Sequence, residues 1–393
     1  MLSLLCCEVE GVAVKIKRKS ILNFGGILLL CLTWFAIGWI VRGRWATTEI
    51  MLVGRTQHLL LSDYPGALPS ARELSYEAIR GMLRKIGDPH AALLTPPVSE
   101  RFLDDFAGQS GVIGLYPEKQ GDQMVVAVIF PDEPAAQAGL KVGDIILSVD
   151  GFSFNADTTE AEAILLIRGA VGEAAHFVVQ RGDEVLAFAP VRQTRQIISA
   201  RMLPGNVAYI AQYTFTTNAA EEMQAALDAL LTQHAQGLVW DLRSNGGGSM
   251  QAAQAILSYF IEDGLLFTAE LKGGRQERFL ATGNSIAPDL PVVVLVGERT
   301  YSAAETAAAT MMETHRGIVI GSTTYGKGTI QTTEPIGQDC LLQFTVAKWL
   351  SPNGTWYEER GVTPDILVYD NENTRDDEVL QAALDYLLDN LIR

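Results

Sequence analysis

The period of the apolar positions changes along the chain, and each change marks a different kind of structure. Residues 21–41 carry no charge and only Asn23 and Thr33 as polar interruptions. An apolar run of roughly 20 residues matches the hydrocarbon core of a bilayer crossed by a helix. Residues 47–106 follow a helical period, in which Leu74, Tyr76, Ile79, Met82, Leu83 and Ile86 recur among polar positions. Gly87-Asp88-Pro89 ends that helix, residues 93–97 read as a turn, and Ser99 is placed to cap a second helix reaching Phe106.

From Gly108 the period shortens to that of strands. Residues 124–130, 145–149, 175–180 and 185–189 are strand candidates, and Gly121-Asp122, Asp150-Gly151 and Gly182-Asp183 supply turns. Residues 161–167 read as a short helix, which gives a compact β-rich module of about 85 residues. From Val207 strand and helix alternate: strands at 207–211, 237–242, 292–296 and 318–320, helices at 219–232, 249–261 and 303–313. That alternation predicts a largely parallel α/β layer. Residues 376–391 form an amphipathic helix with Val379, Leu380, Ala383, Leu384 and Leu387 on one face.

Composition and charge narrow the reading. A chain of 393 residues has room for two or three domains. Its 48% apolar and 19% charged content excludes wholesale disorder. A net charge of −16 argues against nucleic-acid binding, which requires a basic footprint. Lys15, Lys17, Arg18 and Lys19 precede the run 21–41, while Arg42 and Arg44 follow it. The denser positive side faces the cytoplasm, so the body is expected outside it, with Trp34, Trp39 and Trp45 suited to an aromatic interface. No Ala-x-Ala site follows the run, which favours a retained anchor over a cleaved leader.

The expected organisation is therefore a cytoplasmic tail (1–20), a transmembrane anchor (21–41) and an N-terminal helical segment (45–107). A β-rich module (108–195), an α/β core (196–370) and a C-terminal helix (371–393) follow. Of the four cysteines, Cys6, Cys7 and Cys31 lie in the tail and anchor, so no disulfide framework is expected and Cys340 reads as a buried thiol. His58, His90, His176, His234 and His315 are scattered without metal-ligand spacing, so all read as structural or surface residues and no metal is expected.

The candidate chemistry lies on turns after predicted strands, where open α/β sheets bind ligands. Ser302 follows the strand 292–296 and stands at the start of a helix, with the Ala303 N–H directed to the same space. Asp241 to Gly248 follows another strand, and its run Gly246-Gly247-Gly248 allows a second N–H to approach. Two such donors make an oxyanion hole. Lys327 in Gly326-Lys327-Gly328 is able to act as a base only if burial lowers its pKa. If residues 327–331 are extended, Gln331 shares a face with Lys327 and is placed to hold its ammonium. Each piece alone has a plainer reading: Ser302 as a helix N-cap, the glycines as a turn, Lys327 as a solvated charge.

Taken in order, these motifs resemble the carboxyl-terminal processing peptidases, serine proteases with an inserted PDZ domain. Gly81-Met82-Leu83, Asp88-Pro89-His90 and Leu94-Thr95-Pro96 resemble the family's N-terminal segment. Gly139 to Ile146, Val149-Asp150-Gly151 and Ile167-Arg168-Gly169 are similar to its PDZ domain. Asp241 to Gly248, Ser302 to Glu305, Gly326-Lys327-Gly328 with Gln331, Lys348 to Gly354 and Gly361 to Asp365 resemble its protease motifs.

The resemblance implies a ClpP- or crotonase-like α/β protease core, with Ser302 as nucleophile, Lys327 as base and Gln331 positioning Lys327. It implies an oxyanion hole from the Ala303 and Gly247 N–H groups, and no cofactor. It also implies that the PDZ domain takes the C-terminus of a protein or peptide substrate at Gly111, Val112, Ile113, Gly114 and Leu115, with the tail added as a strand. Arg168 is implied as a regulatory link between that domain and the protease. The resulting expectation is a single-pass protease of a bacterial envelope. The rival is a catalytically silent PDZ adaptor that binds protein C-termini. Neither an activating partner nor a homo-oligomer is fixed by the sequence. Tyr301 stands where the family usually has a small residue, which implies a narrowed site or a different opening.

Overall fold

The computed structural model describes residues 48–131, 133–155, 158–194, 197–370 and 376–391. The expected tail and membrane anchor lie outside the described residues. Among these, no helix is long and apolar enough to cross a membrane. The chain divides into two units, residues 1–85 and 86–393.

The first unit holds helices α1 (Thr48–Asp63) and α2 (Ala71–Ile86). Ser70 starts α2 through a reciprocal cap: its hydroxyl accepts from the Glu73 N–H, and the Glu73 carboxylate accepts from the Ser70 N–H. Gln57 of α1 donates to the Ala71 carbonyl and the Ser75 hydroxyl, tying the two helices together.

The second unit opens with strand β1 (Ala92–Leu94) and helix α3 (Val98–Phe106). The expected turn at 93–97 is thus partly a strand. Ser99 is also not a cap. It lies inside α3, is 2% exposed, and donates 2.6 Å to the Asp339 carbonyl.

A β-rich module follows: β2 (Gly111–Val112), β3 (Leu115–Gln120), β4 (Gln123–Ile129), α4 (Pro134–Ala138), β5 (Ile145–Val149), β6 (Phe152–Ser153), α5 (Glu160–Ile167), β7 (Phe177–Arg181), β8 (Glu184–Phe188) and β9 (Gln193–Thr194). Its antiparallel sheet runs β3-β4-β5-β7-β8, with β3 at one edge beside α5. Alternate residues of these strands, among them Met124, Val126, Phe177 and Val179, point into one core with Ile113, Ile146 and Ala163. Thr159 and Glu162 cap α5 reciprocally.

The α/β layer contains β10 (Ile198–Leu203), β11 (Val207–Gln212), α6 (Ala219–Thr232), β12 (Gly237–Asp241) and α7 (Met250–Leu257). After β13 (Leu265–Leu271) and β14 (Gln276–Leu280), it resumes with β15 (Val292–Val296), α8 (Ala303–Glu313) and β16 (Ile318–Gly321). The hairpin β17 (Thr329–Gly337) and β18 (Cys340–Leu350), then β19 (Ile366–Leu367) and helix α9 (Glu378–Leu391), complete the chain. The main sheet runs β10-β11-β12-β15-β16-β19, parallel except for β10 against β11.

Both faces of this sheet are covered, so its strands read as unbroken apolar runs rather than alternating ones. Leu238, Trp240, Val292 and Val294 face a core shared with α6, α7 and α8. Val239, Val293, Leu295 and Ile320 face Val379, Ala383 and Leu387 of α9.

A second sheet, β1-β18-β13-β14 with β17 beside β18, was not foreseen. β13 is buried without alternation, and β17 is a mostly polar strand containing Pro335, so neither carries a strand-period signal. Cys340 is buried at the start of β18, its thiol directed to the Gln338 carbonyl.

The β-rich module docks on α3 and the hairpin. Leu165 and Leu166 of α5 bury against Leu94, Val98 and Leu341. Arg101 of α3 donates to the carbonyls of Leu166 and Arg168 and, at 3.0 Å, to Asp150. Arg192 holds the same carboxylate at 2.5 Å, and Arg168 pairs with Asp105 of α3.

Candidate active site

Ser302 links β15 to α8 in a conformation that ordinary helix starts do not use. Its φ is 58° and its ψ −120°, whereas an N-cap residue is normally extended. A non-glycine residue held at such a φ is strained and persists only when its surroundings fix it. Here the fixing is visible. The Thr300 hydroxyl donates 2.8 Å to the Leu242 carbonyl, and the Tyr301 N–H donates 3.1 Å to the Asn245 carbonyl. The Ser302 turn is therefore sewn to the turn that follows β12.

That second turn is also fully engaged. Asp241 accepts from Tyr209 and from the Arg243 guanidinium, which reaches on to Asp377 at the start of α9. Asn245 is 0% exposed and donates 2.9 Å to the Gln212 carbonyl. Gly247 must be glycine. It has φ 82°, and a Cβ there would lie 2.6 Å from the Tyr301 carbonyl oxygen and 2.8 Å from Ser302 Cβ.

Glu305 is the hub of the site. It is 0% exposed, lies in the first turn of α8, and its carboxylate accepts four hydrogen bonds. Oε2 takes the N–H groups of Ser302 at 2.8 Å and Lys327 at 2.9 Å. Oε1 takes the Thr324 hydroxyl and the Gly326 N–H, both at 2.6 Å. Burial pushes its carboxyl up, opposed by these donors. One side chain thus fixes the serine turn and the lysine turn in the same frame.

The lysine turn is satisfied at every backbone group. The Gly326 carbonyl accepts from the Glu359 N–H, and the Lys327 carbonyl accepts from the Trp349 indole. The Gly328 N–H donates to Glu358, and its carbonyl accepts from the Trp349 N–H and the Trp356 indole. Burial pulls the Lys327 ammonium down to about 8, against the upward pull of Glu358, Asp88 and Glu305. Its Nζ lies over the Tyr301 ring, 4.8 Å from the centroid.

Two expectations need correction. Gln331 does not hold Lys327: its amide donates to the hydroxyls of Thr329 and Thr345. The cause is local geometry. Lys327 lies on a turn before β17 begins, and a register shift between Ile330 and Gln331 breaks the alternation that an extended run would give.

The Gly247 N–H is not presented beside Ser302, because it donates 2.8 Å to Asn245 Oδ1. The Ala303 N–H, as the first helical donor of α8, has no acceptor within its own helix. His90, read as a structural or surface residue, lies close enough to Lys327 to feel its charge. It is half-buried, and burial together with the Lys327 charge pushes its imidazole down.

The predicted tail-binding loop is engaged at one end. The Gly111 N–H donates 2.7 Å to the Gly169 carbonyl, and Val112 pairs with Gln193 in β9. Ile113, Gly114 and Leu115 lead into β3, and the Glu133 side chain lies across Gly114. Gly114 accepts from the Phe130 N–H of the neighbouring strand. Alternation therefore turns Leu115, Pro117 and Lys119 to the open edge. Pro117 has no N–H to offer there, and the Lys119 N–H already donates 2.8 Å to Glu160 of α5. Arg168 lies at the end of α5, paired with Asp105, and joins this module to α3 rather than to the catalytic groups.

Two residues of consequence escaped the sequence reading. Glu305 was visible three residues after Ser302, the spacing at which an acidic side chain caps a helix start. Asn245, in the glycine-rich turn, gave no comparable signal.

Comparison with known proteins follows the same division. Residues 206–368 match peptidase family S41, and residues 111–189 match the PDZ domain. The chain is 31% identical over 300 residues to the carboxy-terminal processing protease CtpB of Bacillus subtilis, covering 74% of this chain and 62% of that one. It is 29% identical over 303 residues to a probable CtpA-like serine protease of Staphylococcus epidermidis, covering 76% and 61%. The chain thus spans about three fifths of the length of these relatives. The solved structure of the photosystem II D1 C-terminal processing protease superposes with a TM-score of 0.59 at 27% identity, covering 83% of this chain and 89% of that one.

Glu305→Gln tests the hub. An amide offers one acceptor oxygen and sets its NH2 against two of the four donors. The expected loss is about 3 kcal/mol of unfolding free energy in urea denaturation, since buried donors are left unpaired. A midpoint unchanged from the parent protein rejects the hub role.

Proposed function

The chain belongs to peptidase family S41, and on that premise we propose that it is a serine endopeptidase that cuts protein substrates near their C-termini. The observation that carries the reading is a serine at a strained φ and a lysine with a depressed pKa, both gripped by one buried carboxylate.

In the proposed reaction, neutral Lys327 Nζ takes the Ser302 Oγ proton as Oγ bonds to the scissile carbonyl carbon. The carbonyl oxygen gains negative charge and is met by the Ala303 N–H. The C–N bond then breaks, and Lys327 returns the proton to the leaving amine. Water, deprotonated by Lys327, attacks the acyl-enzyme carbon, and Ser302 recovers its proton. The step needs no metal or cofactor.

The PDZ domain is proposed to present the substrate. Its edge strand β3 supports a short grip, because Pro117 and the engaged Lys119 leave few donors for an added strand. Binding then rests on the terminal carboxylate and the last residue or two. Arg168 is proposed to carry that occupancy to the protease through α3. The uncharged run 21–41, preceded by Lys15, Lys17, Arg18 and Lys19, supports a single-pass anchor with the body outside the cytoplasm.

Ser302→Ala and Lys327→Ala are expected to remove cleavage of a tail-bearing substrate and labelling by a serine-directed fluorophosphonate, with unchanged circular dichroism. Labelling that survives either change refutes the mechanism, and a parent protein that never labels supports the adaptor reading instead.

Because the neutral lysine is the active form, kcat/KM is expected to rise with pH to a plateau above about 8. A flat profile from pH 6 to 9 contradicts this. Stability shifts in the same direction. Between about 8 and the ordinary lysine value the unfolded chain binds the extra proton, so this group's contribution to stability rises with pH across that window.

Pro117→Val restores an edge donor and is expected to tighten binding of a tail peptide by about fivefold, roughly one added hydrogen bond. Calorimetry showing no gain means that the tail does not add along β3. For the anchor, alkaline carbonate should leave the full chain in the membrane pellet and release a chain lacking residues 1–44. Full release of both removes the anchor from the proposal.

A further inference from the structure

Resting on the Ser302–Lys327 reading, we propose that Tyr301 is the positioning residue for the base: its ring, rather than Gln331, holds the Lys327 side chain beside the nucleophile. The side chain of Lys327 has four methylene groups to place. Its Nζ lies over the ring face of Tyr301, 4.8 Å from the centroid. A ring face attracts an ammonium through its quadrupole, and the same ring excludes water from the side it covers.

The ring is itself fixed. It packs edge to face against Tyr325 at a centroid distance of 4.7 Å and an interplanar angle of 64°. Tyr325 is pinned in turn, since its N–H donates 3.1 Å to the Thr300 carbonyl. The Tyr301 backbone is held by Asn245 at its N–H and packs closely against Gly247 at its carbonyl. The Lys327 backbone is held by Glu305 and Trp349. Both partners are therefore anchored at their backbones, and the ring sets where the flexible stem ends. Gln331 is engaged with Thr329 and Thr345.

The ring does two opposed things. As a wall it removes water and disfavours the charge; as a quadrupole it favours the charge. The charged and titratable groups facing Lys327 are Glu305, Glu358, Asp88 and His90, with the Tyr301 ring over its Nζ. The three carboxylates pull the ammonium up, yet the net direction is down, so burial prevails. Removing the wall leaves the carboxylates and admits water, both of which favour the charged form. The residue needed is a flat ring, and the hydroxyl is dispensable.

The test compares the full chain carrying Tyr301→Ala, Tyr301→Phe or Gln331→Ala. Rates of fluorophosphonate labelling are followed from pH 6 to 10.5. The Tyr301→Ala profile is expected to move its rise to higher pH by about one unit or more, costing about tenfold at pH 7 and recovering at high pH. Tyr301→Phe restores the parent profile, and Gln331→Ala leaves the rise in place.

A second measurement does not depend on turnover. In Ser302→Ala protein with carbon-13 at the lysine ε position, Lys327 is identified by its loss in Lys327→Ala and titrated by NMR. Its midpoint is expected near about 8 with Tyr301 present and well above that in Tyr301→Ala. An unmoved Lys327 titration in Tyr301→Ala overturns the proposal, as does a shift of the same size in Gln331→Ala. If the parent protein labels at no pH, the protease reading fails, while the NMR titration still decides the role of Tyr301.

Discussion

The carboxylate of Glu305 is the constraint on which the rest of the site depends. Four donors and no cation converge on its two oxygens. That pattern suits an ionised carboxylate, which only accepts, and suits no neutral side chain. Ser302 is held at φ 58° and Lys327 on a glycine-flanked turn. Left to themselves, both turns relax. The hydrogen bonds from their N–H groups to one buried oxygen make the distance between the turns a property of a single side chain. α8 supplies that side chain from a position with no freedom, because Ala303, Ala304, Ala307 and Ala308 around it are fully buried.

The scaffold behind Glu305 explains why such strain is tolerated. The strands that end at the site, β12, β15 and β16, are buried on both faces, and their side chains alternate between the two cores. A sheet clamped in this way is stiff, so the turns at its ends are held in place. The hairpin β17–β18 plays a different part. Near its turn, Leu341 packs against the PDZ helix and the Asp339 carbonyl accepts from Ser99. Further along, Thr345 binds Asp88 and Gln331, and at its far end Trp349 holds Lys327. One pair of strands thus touches both the PDZ module and the Lys327 turn.

What was legible in the sequence follows from what each signal measures. The parallel layer was readable because doubly buried strands appear as unbroken apolar runs separated by amphipathic helices. The position of Ser302 at the head of α8 was legible because it follows the apolar run of β15, while the roles given to Ser302, Ala303 and Lys327 came from the family resemblance. The second sheet was hidden: β13 is buried without period and β17 is polar. Gln331 was misjudged because spacing assumes unbroken alternation, and one register shift cancels it. The direction of the Gly247 N–H was beyond reach, since it depends on an Asn245 side chain buried by contacts distant in the chain. Sequence motifs fix which groups meet; backbone irregularities fix which way they point.

For the proposed reaction, the electrostatics around Lys327 reconcile two demands that appear opposed. A base must be neutral before the reaction and charged during it. Burial serves the first by disfavouring the ammonium. Glu305, Glu358 and Asp88 serve the second, since a proton that reaches Nζ creates a cation facing three carboxylates already oriented by backbone donors. Those carboxylates need no reorganisation as the charge develops, the condition under which fixed dipoles and charges act most strongly on a transition state. If burial alone acted, the base would be neutral but its conjugate acid unsupported. If the carboxylates alone acted, the lysine would never release its proton at moderate pH. The site holds both influences at once.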